Sequence, residues 1–137
     1  MRVFLVMAFF FVFSGLTPKK DQADIIDMVE RNVQAMNNKN IEIYMQDVYP
    51  TPEILAQTRQ VMLQIFAAYT LLATIEKFEF GSMGKEEASA TIVQVTRKVK
   101  GPAFRNNRAT MLFTFKKYRG AWKILGTKPI SVDFLKD

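Results

Sequence analysis

The sequence predicts an α+β fold, in which three N-terminal helices pack on an antiparallel sheet of about four strands. In the first half of the chain, apolar residues recur every three or four positions, as on the buried stripe of a helix. In the second half they recur every second position, as on the buried face of a strand. The stretch 108–125 gives the clearest strand signal. Arg119-Gly120 interrupts it where a hairpin turn needs a positive φ. The Met and Phe face of this hairpin requires a cover, which we expect the helices to provide.

Polar boundaries and apolar stripes predict the first two helices. Asp21 suits the N-cap of the first helix, and Asn40 suits that of a short second helix after the polar run 37–40. The first stripe consists of Ile25, Val29, Val33 and Met36, and the second of Ile41, Tyr44, Met45 and Val48.

The third helix has the clearest start signal in the chain. Thr51 suits its N-cap, Pro52 its first position and Glu53 its first turn. Its apolar face is broad, so we expect this helix to lie across the sheet. The remaining segments alternate as strands, over 74–80, 88–100, 108–118 and from 121 onward. We expect Lys128-Pro129 to interrupt the last strand before 130–134 completes the sheet.

The N-terminus resembles a secretory leader. Arg2 precedes an unbroken apolar run over 3–13, and small residues follow at Ser14-Gly15. Such a run is too short for a bilayer core, which needs about 20 residues. We therefore expect a signal peptide at 1–15, a linker at 16–20, a single domain at 21–137 and export to the periplasm, the cell envelope or the exterior. An uncleaved anchor or a buried N-terminal strand is the alternative.

Composition limits the chemistry that the chain can carry. Its 137 residues contain no Cys and no His, which excludes disulfides, thiolate nucleophiles and imidazole bases or ligands. No phosphate-binding glycine loop or nucleophile elbow occurs. Glu86-Glu87 is interpreted as a solvated charge pair and not as a metal site. No metal and no cofactor are therefore expected.

Three features together resemble a known superfamily over residues 20–135. They are the junction NNKNI at 37–41, the long third helix, and the closing FKKYRGAWKI at 115–124. The chain resembles the nuclear-transport-factor-2-like superfamily, also called the SnoaL-like or cystatin-like α+β cone. The resemblance implies a curved sheet around a long helix, a conical pocket between them, and in many members a dimer through the sheet. Members range from isomerases and dehydratases to binding or transport adaptors, so the fold alone does not decide the function.

The resemblance and the composition together favour a non-catalytic binding domain with an apolar pocket for a small ligand or a protein partner. Core packing is the competing role for each of the predicted pocket residues. They are Tyr44, Met45, Met62, Phe66, Tyr69, Met111, Phe113 and Trp122. The alternative is an isomerase- or dehydratase-like enzyme. Its candidate catalytic residues are Asp47 and Tyr44, which lie three positions apart on one helix.

Charge is unevenly distributed along the chain. Residues 1–76 carry 6 basic and 8 acidic side chains, and residues 77–137 carry 13 basic and 5 acidic ones. A further alternative is therefore a module that binds a polyanion or an anionic membrane through a basic sheet face. Nucleic acid is not the expected partner of an exported protein, and a purely solvated loop rim is the competing interpretation. The basic patch consists of Arg97, Lys98, Lys100, Arg105 and Arg108.

Overall fold

The computed structural model has three helices followed by a four-stranded antiparallel sheet, which confirms the predicted α+β fold class. It describes the backbone of residues 2–136 and the side chains of residues 19–136. The predicted leader at 1–15 lies outside the part whose side chains are described. The elements are α1 (Arg2–Asn37), α2 (Ile41–Gln46), α3 (Pro52–Ala68), β1 (Thr70–Met83), β2 (Glu87–Lys100), β3 (Asn107–Tyr118) and β4 (Ala121–Phe134).

Asp21 lies inside α1 and is not its N-cap, because the helix already includes residues 16–20, which were expected to form a linker. The Asp21 side chain is buried. Its Oδ1 atom accepts a hydrogen bond of 3.2 Å from Trp122 Nε1 and lies 3.5 Å from Lys117 Nζ. Asp21 therefore joins the helix to the β3–β4 hairpin. Over the residues with described side chains, no helix has the length and apolarity needed to cross a bilayer.

The other two helix starts are confirmed. Asn40 Oδ1 accepts from the backbone N–H of Ile43 at 3.1 Å. Thr51 Oγ1 accepts from the N–H of Ile54 at 3.2 Å, and proline follows at the first helical position. Each side chain satisfies a backbone donor that has no partner within its own helix.

The four strands form a meander in the order β1-β2-β3-β4. Arg119 (φ 50°) and Gly120 (φ 80°) form the β3–β4 turn, and both have the positive φ that tight hairpins require. β4 continues through Pro129 and is not interrupted there as predicted. Pro129 pairs with Met111 next to a register shift in the ladder. On an edge strand beside such an irregularity, the missing proline N–H does not break the ladder.

α1 packs against one face of the sheet and forms the core with it. The helix contributes buried residues at i, i+3, i+4 and i+8, and Ile25 at the start of this series has no exposed surface. Burying one such side chain stabilises the fold by about 1.5–3 kcal/mol. The core cluster comprises Ile25, Met28, Val29, Val33, Ala73, Ala88, Ala90, Ile92, Phe113, Phe115, Trp122 and Ile124.

The prediction that the third helix lies across the sheet is wrong, since α1 occupies that place. α3 buries only Met62 among its residues, whereas Val61 and Leu63 on the same helix are exposed. A broad apolar face on a helix therefore did not correspond to a deeply buried one in this chain.

A short parallel bridge attaches the end of α2 to β4. Ile124 donates its N–H to Asp47 O at 2.7 Å, and Tyr49 donates its N–H to Ile124 O at 2.9 Å. This bridge fixes the end of α2, and the start of α3 that follows it, beside β4. A cavity lies between these elements.

Candidate functional site

A cavity of about 220 Å³ lies between α1, α2, the first turns of α3 and strands β2, β3 and β4. Most of its wall is apolar, with Met111 and Phe113 contributed by β3. Five side chains with polar ends interrupt this wall, namely Asn32, Tyr44, Thr58, Gln94 and Thr127. In the part of the chain with described side chains, no carboxylate, lysine or arginine lines the cavity.

Three of the eight predicted pocket residues, Tyr44, Met111 and Phe113, line this cavity. The structure places the other five elsewhere. Met45, Met62 and Trp122 are buried in the packing of the domain. Phe66 and Tyr69 lie half-buried towards the C-terminal end of α3, where the Tyr69 ring packs 5.7 Å from that of Phe104. Apolar residue type alone therefore did not separate cavity lining from core.

The polar lining residues were not predicted. Two of them nevertheless occupy positions that the sequence pattern marks as buried. Every second residue of β2 from Ala88 to Ile92 is buried against the core, and Gln94 is the next position on the same side of the strand. Asn32 adjoins Val33 on the buried side of α1. A polar residue at a buried position requires a partner or an opening, and a cavity provides an opening.

Asn32 and Tyr44 connect α1 to α2 at the cavity wall. The side chain of Asn32 is buried, and its Nδ2 donates a hydrogen bond of 3.0 Å to the backbone oxygen of Tyr44. Burial raises the pKa of the Tyr44 phenol above its ordinary value of 10.0. The phenol is therefore neutral at physiological pH and can donate or accept a hydrogen bond.

Asp47 and Tyr44 do not form a joint catalytic pair in the cavity. The Asp47 side chain is buried, but Asp47 is not part of the cavity wall. The guanidinium of Arg31 binds both of its carboxylate oxygens, with Arg31 Nε 3.3 Å from Oδ2 and Nη2 in contact with Oδ1. This hydrogen bonding raises the pKa of Arg31. The carboxylate thus faces an arginine of α1, and Tyr44 alone of the two residues lines the cavity.

A larger depression of about 590 Å³ lies between α1 and β1. Charged side chains such as Asp27, Glu30 and Arg31 border it, and it is broadly open to solvent. Asn37 lies at one end, where its side-chain amide donates to Ala73 O at 3.0 Å and accepts from Ala73 N at 2.8 Å. Because a ligand would remain largely hydrated there, we regard the smaller cavity as the candidate site.

The five residues of the basic patch do not act as one free cationic surface. Lys98 Nζ donates to the carbonyls of Gly101 (3.1 Å) and Pro102 (3.0 Å), and so closes its own loop. The Arg105 guanidinium lies 3.9 Å above the Phe134 ring. Arg97 and Lys100 are exposed.

Arg108 belongs to a two-point ion pair. It donates to both carboxylate oxygens of Glu76, at 2.7 and 3.2 Å. These hydrogen bonds lower the pKa of Glu76. Elsewhere, Glu87 lies 3.9 Å from Lys116. Within the part of the chain whose side chains are described, no cluster of three or more acidic residues could hold a metal ion.

Solved structures with the same fold resemble this chain. A protein of unknown function with a cystatin-like fold from Nostoc punctiforme superposes with a TM-score of 0.67 at 12% identity, over 82% of this chain and 91% of that one. A nuclear-transport-factor-2-like protein of unknown function from Shewanella oneidensis gives 0.63 at 13% identity, over 80% and 98%. A type 2 hexachlorocyclohexane dehydrochlorinase gives 0.58 at 12% identity, over 89% and 93%. The chain thus has the predicted nuclear-transport-factor-2-like, cystatin-like cone fold.

Comparison of the sequence with protein families gives a narrower assignment than the fold does. No curated protein matches the chain in sequence. One family model does match, and it covers residues 27–135, from the last third of α1 to the end of the sheet. The chain therefore belongs to the family of the C-terminal domain of anti-sigma-I factor RsgI9.

Proposed function

We propose that this protein is a non-catalytic binding domain that takes a small, uncharged, mainly apolar ligand into the cavity between α1, α2, α3 and the sheet. The observation that carries the proposal is the lining, which combines an apolar wall with several polar ends and contains no ionised side chain among the described residues. Burying a charged ligand there would leave it without a counter-ion, which is costly. A neutral ligand avoids this cost.

The lining also supports binding over turnover. General acid–base chemistry needs a titratable group within hydrogen-bond reach of the substrate. Tyr44 is the one titratable residue in the described lining, and burial moves the pKa of its phenol further from neutrality. The carboxylate of Asp47, the other candidate, binds Arg31 instead. The enzyme alternative therefore lacks a base at the cavity.

The cavity volume limits the size of the ligand. A cavity of about 150 Å³ in another protein accepts benzene. On the same scale, about 220 Å³ holds a molecule of roughly eight or nine non-hydrogen atoms. A substituted benzene or cyclohexane of this size matches that volume.

The family suggests how such binding would be used. Its name refers to a domain of an anti-sigma-I factor, which is a regulator. We propose that this domain likewise acts in regulation, and that ligand occupancy alters its contacts with a partner. We also propose export, on the basis of the leader-like sequence over residues 1–15.

The test is direct titration of the full-length protein with neutral eight-atom probes, such as benzyl alcohol and ethylbenzene, by isothermal calorimetry and thermal unfolding. Ile54→Trp places a bulky ring at the cavity wall, and Val61→Trp places the same ring at an exposed position of the same helix. We expect saturable binding by the wild type and by Val61→Trp, with binding lost in Ile54→Trp. A ligand concentration of 100 Kd should add about 2.7 kcal/mol of stability. Equal binding by both variants would place the site elsewhere.

A further inference from the structure

We infer that the cavity selects ligands that carry a hydrogen-bond donor, and that Asn32 Oδ1 is the acceptor that recognises it. The ligand class is a small neutral alcohol or phenol. This inference rests on the proposed function, because it assigns the chemistry of a ligand in the same cavity. The evidence comes from the orientation and surroundings of one amide group.

The orientation of the Asn32 amide follows from its hydrogen bond. Its partner on α2 is the backbone carbonyl of Tyr44, 3.0 Å away, which can only accept. The nitrogen of the amide must therefore point to Tyr44, and the oxygen must point away from it. The hydrogen bond also fixes the side chain, so Oδ1 has a defined direction before any ligand enters.

The Asn32 oxygen makes no hydrogen bond with the described residues, and we assign it to the cavity wall. Asn32 as a whole is only 6% exposed, and its one hydrogen bond with the described residues uses the nitrogen. Yet no buried side-chain nitrogen or oxygen among the described residues lacks a hydrogen-bond partner. Oδ1 is therefore not sealed within the protein, and the space that Asn32 borders is the cavity. A carbonyl-type oxygen at the wall of an apolar cavity favours a ligand that offers it an N–H or O–H group.

The remaining lining narrows the ligand to a hydroxyl compound. No carboxylate faces the cavity from any surrounding element among the described residues, so an ammonium ligand would have no counter-charge. A hydroxyl group supplies the donor without a charge. The oxygen of the ligand hydroxyl can also accept a hydrogen bond. Tyr44 and Thr58, which line the cavity, carry hydroxyl groups that can donate one.

Three probes of equal size separate donor recognition from simple apolar binding. Benzyl alcohol carries a donor and an acceptor, its isomer anisole carries an acceptor only, and ethylbenzene carries neither. Each Kd for the full-length protein is multiplied by that compound's partition coefficient, which is its concentration in hydrocarbon divided by that in water, so that differences in hydrophobicity are removed. We expect the corrected affinity of benzyl alcohol to exceed that of anisole by about tenfold or more, because the correction already removes the cost of taking the hydroxyl out of water and a hydrogen bond is stronger in an apolar medium.

The Asn32→Leu variant tests the residue. It keeps the size of the side chain and removes both the acceptor and the amide that donates to Tyr44 O. The preference for benzyl alcohol over anisole should therefore fall to about one while ethylbenzene still binds. Circular dichroism checks that the variant folds. If it does not fold, the wild-type comparison of benzyl alcohol with anisole still decides. Equal corrected affinities in the wild type would overturn the inference and leave cavity binding intact, whereas no binding of any probe would overturn the proposed function as well.

Discussion

Arg31 on α1 binds both carboxylate oxygens of Asp47 at the C-terminal end of α2. The two side chains differ in environment, since Asp47 is 2% exposed and Arg31 is 53% exposed. The backbone oxygen of Asp47 also accepts from Ile124 on β4. Asp47 thus joins α1, α2 and β4 around the cavity. These contacts indicate that its role is structural.

We expect Arg31→Met to lower the free energy of unfolding by roughly 2 kcal/mol, because it leaves the buried carboxylate of Asp47 without its cation. Breaking a fully buried pair costs about 3–5 kcal/mol, and water can partly replace the half-exposed guanidinium here. Lys20→Met is the matched control on the same helix, since the Lys20–Asp24 pair is exposed. Loss of this exposed pair should have a much smaller effect, because water screens the two charges. Urea unfolding measures both, and equal losses would contradict a structural role for the Arg31–Asp47 pair.

Trp122→Ala should lower the free energy of unfolding by about 3–5 kcal/mol, as truncation of buried aromatic side chains does. Trp122 is 6% exposed, and its indole nitrogen donates to the buried Asp21. Trp122→Phe keeps a six-membered aromatic ring and removes the ring that carries the donor, so it should cost about 1–3 kcal/mol. Far-ultraviolet circular dichroism should monitor the chemical denaturation, because both variants lack the single tryptophan and its fluorescence. A wild-type midpoint for Trp122→Ala would show that the indole does not hold the hairpin to α1.

The fold was predictable because its elements have strong local signals. Alternating residues, helix caps and one hairpin turn determined the order of three helices and four strands. Which helix covers the sheet was not predictable in this way, because the apolar stripe of α1 and the broad face of α3 look alike in sequence. Burial of Met28 and Val29 on α1, against exposure of Val61 and Leu63 on α3, results from tertiary packing. Periodicity reports amphipathicity and not the partner of the apolar face.

The candidate site was predictable only in part, for a related physical reason. A cavity is a property of how several elements meet, so its apolar wall cannot be distinguished in sequence from a filled core. Met62 and Trp122 have suitable side chains but fill space elsewhere. The polar residues Asn32 and Gln94 are more informative, because each occupies the buried side of a well-patterned element.

Tyr44 should make the protein lose stability at alkaline pH. Burial raises the pKa of its phenol in the folded state, so the folded protein retains this proton more tightly than the unfolded chain. The resulting contribution to stability is complete below the unfolded value of 10.0 and is lost as the pH rises through the folded pKa. Absorbance of tyrosinate should show a component at high pH that disappears in Tyr44→Phe. If the titration curve of Tyr44→Phe keeps that component, the phenol is not shielded at the cavity wall.

Gly101→Ala should destabilise the protein more than Gly120→Ala does, although both glycines have positive φ. At Gly101 (φ +132°), an added Cβ would approach Ala68 O to 2.6 Å and the Tyr69 ring to 2.8 Å. At Gly120 (φ +80°), nothing lies within 4 Å of an added Cβ. We expect a loss of about 1 kcal/mol at Gly120 from the backbone conformation alone, and more than about 2 kcal/mol at Gly101. Thermal unfolding of the two variants side by side provides the comparison, and losses of equal size would rule out the close contact of Gly101 with the end of α3.

The basic patch should not bind anionic surfaces strongly, despite the excess of positive charge in the second half of the chain. Salt-sensitive binding to a polyanion requires several free cations that act together. Here Lys98 is bonded to loop carbonyls, Arg105 lies on Phe134, and Arg108 is paired with Glu76. We expect no retention of the wild type on phosphatidylserine vesicles at physiological salt, where the Debye length is about 8 Å. The double variant Lys98→Glu with Arg105→Glu is the control for charge. Retention by the wild type that falls steeply with salt and vanishes in the double variant would show that these side chains exchange their internal partners for an external anion.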